Sequence, residues 1–292
     1  MSSATKQVPF SLAATQAGTR AETERQEQIP VLSVARSKRD HPRQKRAAGF
    51  GMTSRRNEQL LSGKGLLAFE ERGADERLPL DEYFNSLFTA LGPQHWWPGN
   101  SAFQVIVGAI LTQNTSWKNV EQAISNLREA GLLSAEGIQK ANLRRLERLV
   151  RPSGYFRQKA RKLKAFCTFL ETEYGGSLDS MFATPTIVLR EKLLGVFGIG
   201  PETADSILLY AGGHGVFVVD AYAKRMLSRH GWTSENPKYS DVQWMFERQF
   251  PGDSKIFNEF HALIVQAGKR WCLATNPKCE ECPLGRYREE GR

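Results

Sequence analysis

Asp220 closes the short apolar run of VFVVDAYAKRML and opens an amphipathic stretch. Its plainest role there is a helix N-cap, for which Asp is among the best residues. Held in a partly desolvated cleft, the same carboxylate can stabilise developing positive charge and orient or deprotonate a water. Twenty residues upstream, LLGVFGIGPETADSILL sets Gly198, Ile199 and Gly200 between two helical runs. The glycines permit positive φ and close approach of another backbone, and Pro201 suits the first turn of the next helix. Amide N–H groups exposed at that helix start favour a phosphate oxygen. Taken alone, the turn is equally an ordinary corner between helices.

Two further groups of residues carry chemistry. Trp96-Trp97-Pro98 and Trp117 offer flat π surfaces that can sandwich a ring, most strongly one bearing positive charge, although tandem tryptophans also serve as core. Three of the four cysteines, Cys272, Cys279 and Cys282, follow C-x6-C-x2-C near the end of the chain, a clustering that points to metal ligation in a reducing cell and away from a secreted disulfide framework. Cys167 falls within an apolar helical run, where packing is the simpler role.

The chain that positions these residues has 292 of them and a formal charge of +9, which favours a polyanionic partner such as nucleic acid. The charge is uneven: residues 1–56 hold eleven Lys/Arg against four Asp/Glu, leaving the remainder nearly neutral. That segment lacks periodicity and reads as a disordered basic tail. Its stretch Val8 to Ala14 is too short and wrongly flanked for a signal peptide, and no apolar run approaches a membrane span, so a cytoplasmic protein is expected.

From Leu78 the pattern is helical almost throughout. Tyr83, Leu87, Phe88 and Leu91 recur at three and four residues, and Gly92-Pro93 ends the run. Phe103, Ile106, Val107, Ile110 and Leu111 repeat the spacing, followed by Val120, Ile124 and Leu127 before Gly131. Helices are also predicted over Leu143 to Val150, Gln158 to Tyr174, Ile187 to Val196 and Glu202 to Tyr210, with only Gly215 to Val219 extended. The fold class is all-α, and no fixed internal period suggests a solenoid.

Gly198, Ile199, Gly200 and Asp220 resemble the helix-hairpin-helix DNA glycosylases of the endonuclease III branch, in which a GxG hairpin precedes a catalytic Asp in a VD dipeptide. LTQNT at Leu111 to Thr115 and the terminal cysteines fall in the same order, so the resemblance spans roughly residues 78–284. It implies two helical domains flanking a DNA-binding cleft, one from residues 78–100 with 212–284 and the other a helical barrel over 101–211. Asp220 becomes the catalytic carboxylate, the hairpin with Thr203 a DNA contact, and Gln113 the side chain that enters the duplex, where its amide suits an orphaned base. The partner is double-stranded DNA with a damaged base, bound by a monomer.

Bifunctional relatives carry a strand-nicking Lys two residues beyond the second glycine, and here that place holds Glu202, which cannot form a Schiff base. A monofunctional glycosylase is implied; Lys224, one turn after Asp220, suits a solvated or phosphate-facing position better than an amine pocket. WWP, LTQNT and the element Arg151 to Phe156 resemble the 3-methyladenine glycosylase subgroup, making Trp96, Trp97, Pro98 and Trp117 a pocket for an alkylated purine. The family's [4Fe–4S] site takes a fourth cysteine where this chain has Arg288, leaving a three-cysteine cluster, a zinc site or a vestige as the alternatives. Competing readings are a bifunctional or mismatch glycosylase using Asp220, and a non-catalytic hairpin module that only grips DNA.

Overall fold

The computed structural model describes residues 78–94, 96 and 101–288; the basic tail, Trp97 and Pro98 lie outside the described residues. Among the described residues all regular structure is helical. Helix α1 (Leu80–Leu91) buries Leu80, Tyr83 and Leu87 at helical spacing and stops at Gly92, whose φ of 69° only glycine adopts easily. Phe88, placed by its spacing on the same face, is instead 39% exposed.

Helix α2 (Ala102–Leu111) is buried along every residue from Gln104 to Leu111, so it forms the centre around which the others pack. Ser101 caps it by accepting from the Gln104 N–H. Helices α3 (Trp117–Glu129), α4 (Ala135–Lys140) and α5 (Leu143–Leu149) follow, then a 3₁₀ turn at Arg151–Ser153 and the long α6 (Phe156–Tyr174). Next come α7 (Leu178–Phe182), α8 (Thr186–Leu194) and α9 (Pro201–Ser206), the last running into a π-type turn at Ile207–Ala211. Helices α10 (Ala221–Arg229), α11 (Tyr239–Gln249) and α12 (Ser254–Arg270) complete the set. The predicted run Glu202 to Tyr210 is therefore an α-helix only to Ser206, and Ile187 is 74% exposed. Ser206 Oγ turns back onto the Glu202 carbonyl (2.7 Å), a bond that competes with the regular helical ladder near the change of pitch.

The predicted extended segment is extended but pairs with no strand. Val216, Phe217, Val218 and Val219 are buried, so their backbone groups need partners, and side chains supply them. Phe217 N–H donates to Glu247 Oε1 (3.0 Å), Val219 N–H to Tyr239 Oη (3.2 Å), and the Phe217 carbonyl accepts from Gln243 Nε2 (2.8 Å). Helix α11 thus stands in for a neighbouring strand and delivers Asp220 at the end of a fixed rod.

One buried carboxylate ties this frame together. Asp205 is fully buried and takes Arg190 Nε and Nη2 (2.6 and 3.0 Å), Tyr239 Oη (2.8 Å) and Gln243 Nε2 (2.8 Å), joining α8, α9 and α11. Removing the cation would leave a buried charge uncompensated, which typically costs about 3–5 kcal/mol. Arg190→Met is expected to lose stability of about that size in urea unfolding, with the native helical circular-dichroism spectrum retained.

Candidate active site

The hairpin between α8 and α9 uses its glycines differently. Gly198 has φ 80°, and a Cβ there would fall 2.5 Å from the methylenes of Lys162, so both conformation and space require glycine. Gly200 instead has φ −99° and open space at its Cβ position. What its lack of a side chain provides is an unobstructed approach to the start of α9. Pro201 occupies the first helical position as expected, and Ile199 is buried, so only the backbone of Ile199 is available to a ligand.

Gln113 lies directly on this hairpin. Its Nε2 donates to the Gly198 carbonyl (3.2 Å) and to Thr203 Oγ1 (2.8 Å), while its Oε1 accepts from Lys162 Nζ. LTQNT and the hairpin, predicted separately, are thus one surface. A second link comes from Lys159, a buried side chain whose ammonium donates to the Leu111 carbonyl (2.9 Å) and the Ser153 carbonyl (2.5 Å). Burial, with a smaller push from Lys162, lowers its pKa to about 8. The bond sets the turn 153–155 beside the Gln113 loop, and at its tip Tyr155 is 67% exposed with φ 44°. A bulky residue held in the left-handed region with its ring in solvent marks a surface built for contact. Sequence reasoning missed Lys159 and Lys162, and it carried Tyr155 only as part of the element Arg151 to Phe156 without a role of its own.

Asp220 is both cap and site. Its Oδ1 accepts from the Ala223 N–H (2.8 Å), and its Oδ2 lies 3.5 Å from His261 Nε2 on α12. That spacing is a close polar contact short of a formed hydrogen bond, and Nε2 has no other partner among the described residues. Burial pushes the carboxyl upward, but His261 and the N–H groups of Ala223 and Tyr222 outweigh it and hold the pKa below the usual value. His261 Nδ1 meets Tyr210 Oη at 2.5 Å, a contact that holds the ring with Nε2 turned toward Asp220. Tyr210 in turn faces the Trp96 indole, and the Lys269 ammonium lies 5.7 Å from the Trp96 ring centre. Burial lowers the Lys269 pKa. His261, Tyr210 and Lys269 were not singled out from the sequence, which offered no site signal over 254–270 and gave Tyr210 only as the end of a helical run.

Glu202 shares the cleft. Solvent reaches it through the open mouth, yet protein crowds round its carboxyl, and this desolvation together with the charge on Asp220 raises its pKa to about 7 against the opposing pull of His261 and Lys224. Trp96 therefore joins Asp220 through Tyr210, whereas Trp117 opens α3 and gives its indole N–H to Glu121 one turn on (2.8 Å).

Cys272, Cys279 and Cys282 line one cavity of about 20 Å³ between α10 and α12, together with Arg229, His230 and Arg288. Arg229 Nη1 donates to Cys272 Sγ (3.3 Å), and burial raises the Cys282 thiol, with its two sister thiols adding to the rise. Three thiols lining one cavity are the donor set of an iron–sulfur site, while among the described residues no three His, Cys, Asp or Glu side chains converge on a single ion position. Cys167 is buried in α6 away from them, its thiol pushed up to about 12 by burial.

A family model described as the HhH-GPD superfamily base excision DNA repair protein matches residues 107–251, and one described as the iron–sulfur binding domain of endonuclease III matches 272–287. A Methanocaldococcus jannaschii protein named as a DNA repair glycosylase is 44% identical over 206 residues, 70% of this chain and 93% of its own. Endonuclease III of Sulfolobus acidocaldarius is 28% identical over 188 residues, 64% of this chain and 81% of its own. The Helicobacter pylori 3-methyladenine DNA glycosylase bound to 1,N6-ethenoadenine superposes with a TM-score of 0.59 at 29% identity, over 66% of this chain and 96% of that one. An endonuclease III–DNA complex superposes at 0.63, over 73% and 95%, and at 21% identity speaks for the fold alone.

The chain belongs to the HhH-GPD superfamily and is a DNA glycosylase of base excision repair. Its partner is DNA, and its three terminal cysteines fit the family's [4Fe–4S] cluster, with Arg288 at the place of the fourth cysteine. Among the described residues no helix is long and apolar enough to cross a membrane.

His261→Leu removes the imidazole that, among the described residues, lies 3.5 Å from Asp220 Oδ2. Base release is expected to slow about ten-fold in single turnover, roughly 1.4 kcal/mol of barrier, with DNA affinity unchanged; His261→Gln, which keeps a donor, should recover most of the loss.

Proposed function

We propose that this glycosylase is monofunctional and excises alkylated purines such as 3-methyladenine, with Asp220 as the catalytic carboxylate. The observation that carries the reading is Glu202 beside Asp220 in the position where bifunctional relatives hold a nucleophilic lysine: a carboxylate cannot form a Schiff base. The sequence segments 78–100 with 212–284, and 101–211, make the two walls of the cleft in this reading, and the enzyme acts as a monomer in the cytoplasm.

The duplex docks its backbone on the amides at Gly198 to Gly200 and the start of α9, where unpaired N–H groups and the helix dipole favour phosphate. Gln113 gives up its contacts to Gly198 and Thr203 and turns to the orphaned base, while the nucleotide swings into the cleft. Trp96 offers a π face to the base, and this reading assigns Trp97 and Pro98, which lie outside the described residues, and Trp117 to the same pocket. Lys269 already stands near Trp96, and the nearby negative charge of Asp220 partly offsets its repulsion of a cationic purine. The likeness to the 3-methyladenine glycosylase supports this substrate class.

As the base departs, positive charge grows on the sugar, and Asp220, kept ionised by His261 and the α10 amides, stabilises it and orients the attacking water. An alkylated purine leaves as a neutral base without being protonated, so no general acid is needed at its ring. Glu202, titrating near 7, adds a second negative charge and a proton acceptor once ionised. The three thiols would hold a cluster that ties the terminal loop to α10; it supplies structural cross-linking there and takes no part in these steps.

Purified protein is to be incubated with duplexes carrying 3-methyladenine, an oxidised pyrimidine or a G·T mismatch, and free base measured across pH. Release should be fastest from the alkylated strand, fall by about 10³ or more in Asp220→Asn, and rise with pH through about 7 because ionised Glu202 favours the transition state. Glu202→Gln should flatten that rise. Preference for the oxidised or mismatched duplex would overturn the substrate assignment.

A further inference from the structure

Helix α5 and the turn after it build an open groove that the excision chemistry does not use. Arg144, Arg145, Arg148 and Arg151 line it with Phe156, and its volume is about 660 Å³. All four arginines are exposed. The single guanidinium hydrogen bond any of them makes among the described residues runs from Arg145 to the Ala130 carbonyl at 3.4 Å, and none is in an ion pair there. Glu147 is the one carboxylate in the lining. Arg144 and Arg148 stand one helical turn apart on the same face, so their charges sit side by side.

Such a set of like charges gains nothing for the folded state, since exposed cations repel weakly in water and no internal partner offsets them. It does suit a row of anionic oxygens, which guanidinium forks grip with two parallel bonds. Position selects the source of those oxygens. Arg151 and Phe156 flank Tyr155, and Lys159 fastens that turn to the end of α2, one residue from the Gln113 loop. The groove is therefore continuous with the face that meets the duplex.

We propose that this arginine groove is a second DNA contact, which takes phosphates of the duplex flanking the flipped nucleotide and lengthens the footprint beyond the hairpin and the cleft. It rests on DNA being the partner, and on no assumption about the lesion. Its role is affinity and register without base reading, because phosphate contacts carry no sequence information directly.

The test measures affinity of the full chain for a 30-base-pair undamaged duplex as a function of salt, comparing wild type with Arg144→Ser, Arg148→Ser and the double variant. Each lost phosphate contact should lower the slope of log K against log salt by about 0.9, and the double variant by about 1.8, with a loss of affinity of at least about ten-fold near 0.1 M salt. The double Lys variant should keep most of the wild-type slope, because a phosphate contact survives as a point charge. A double Ser variant that unfolds at the wild-type temperature and keeps the wild-type slope overturns the proposal. A wild type that binds duplex without salt dependence would instead refute the docking on phosphate itself, a separate failure read before any variant is compared.

Discussion

A carboxylate taken out of water keeps its charge only if the protein supplies what water did. Asp220 meets that constraint with the amides at the start of α10 and the nearby imidazole of His261, and much of the architecture follows from bringing these together. The helix start must be held at the end of a stiff segment, so residues 216–219 are buried and bonded to side chains of α11. The imidazole must be orientated, so α12 runs alongside and the π-type turn after α9 brings Tyr210 to its other nitrogen. Irregular helical turns of this kind recur at functional sites because they re-aim a side chain without breaking the helix.

The DNA-facing side obeys a different economy. Gln113, Tyr155 and the hairpin come from three separate stretches of chain, and they share a surface because two lysines on α6 reach across to them. Lys159 does so at a cost visible in its depressed pKa, since a buried ammonium satisfied by two carbonyls still lacks its full solvation. Gln113 is folded onto Gly198 and Thr203, so in the proposed reading its turn toward the duplex exchanges these hydrogen bonds for others.

Much of this was legible before any coordinates. Asp220 after an apolar run, a GxG turn closed by proline and clustered cysteines each carry a local physical reason, and the all-helical class followed from spacing alone. The relations between distant residues were not legible. His261 follows Asp220 by 41 positions, and nothing in an amphipathic stretch marks which buried polar residue will face a carboxylate. Which of the two properties each hairpin glycine uses was not legible, because a glycine that leaves room and a glycine that needs positive φ look alike in sequence. The segment 216–219 has the β-branched composition of a strand, yet its partners are glutamate, tyrosine and glutamine side chains that no pairing rule anticipates.

The central claim is that Asp220 and Glu202 together release a base by hydrolysis and leave no amine to attack the sugar. Reduction with borohydride during turnover on a 3-methyladenine duplex tests it most directly, because only a Schiff base between protein and sugar is captured as a stable adduct. The account predicts free base and an intact strand with no protein–DNA adduct. An adduct that forms in rigorously purified protein and disappears in Lys224→Gln would contradict it, showing that an amine one turn beyond Asp220 performs the attack.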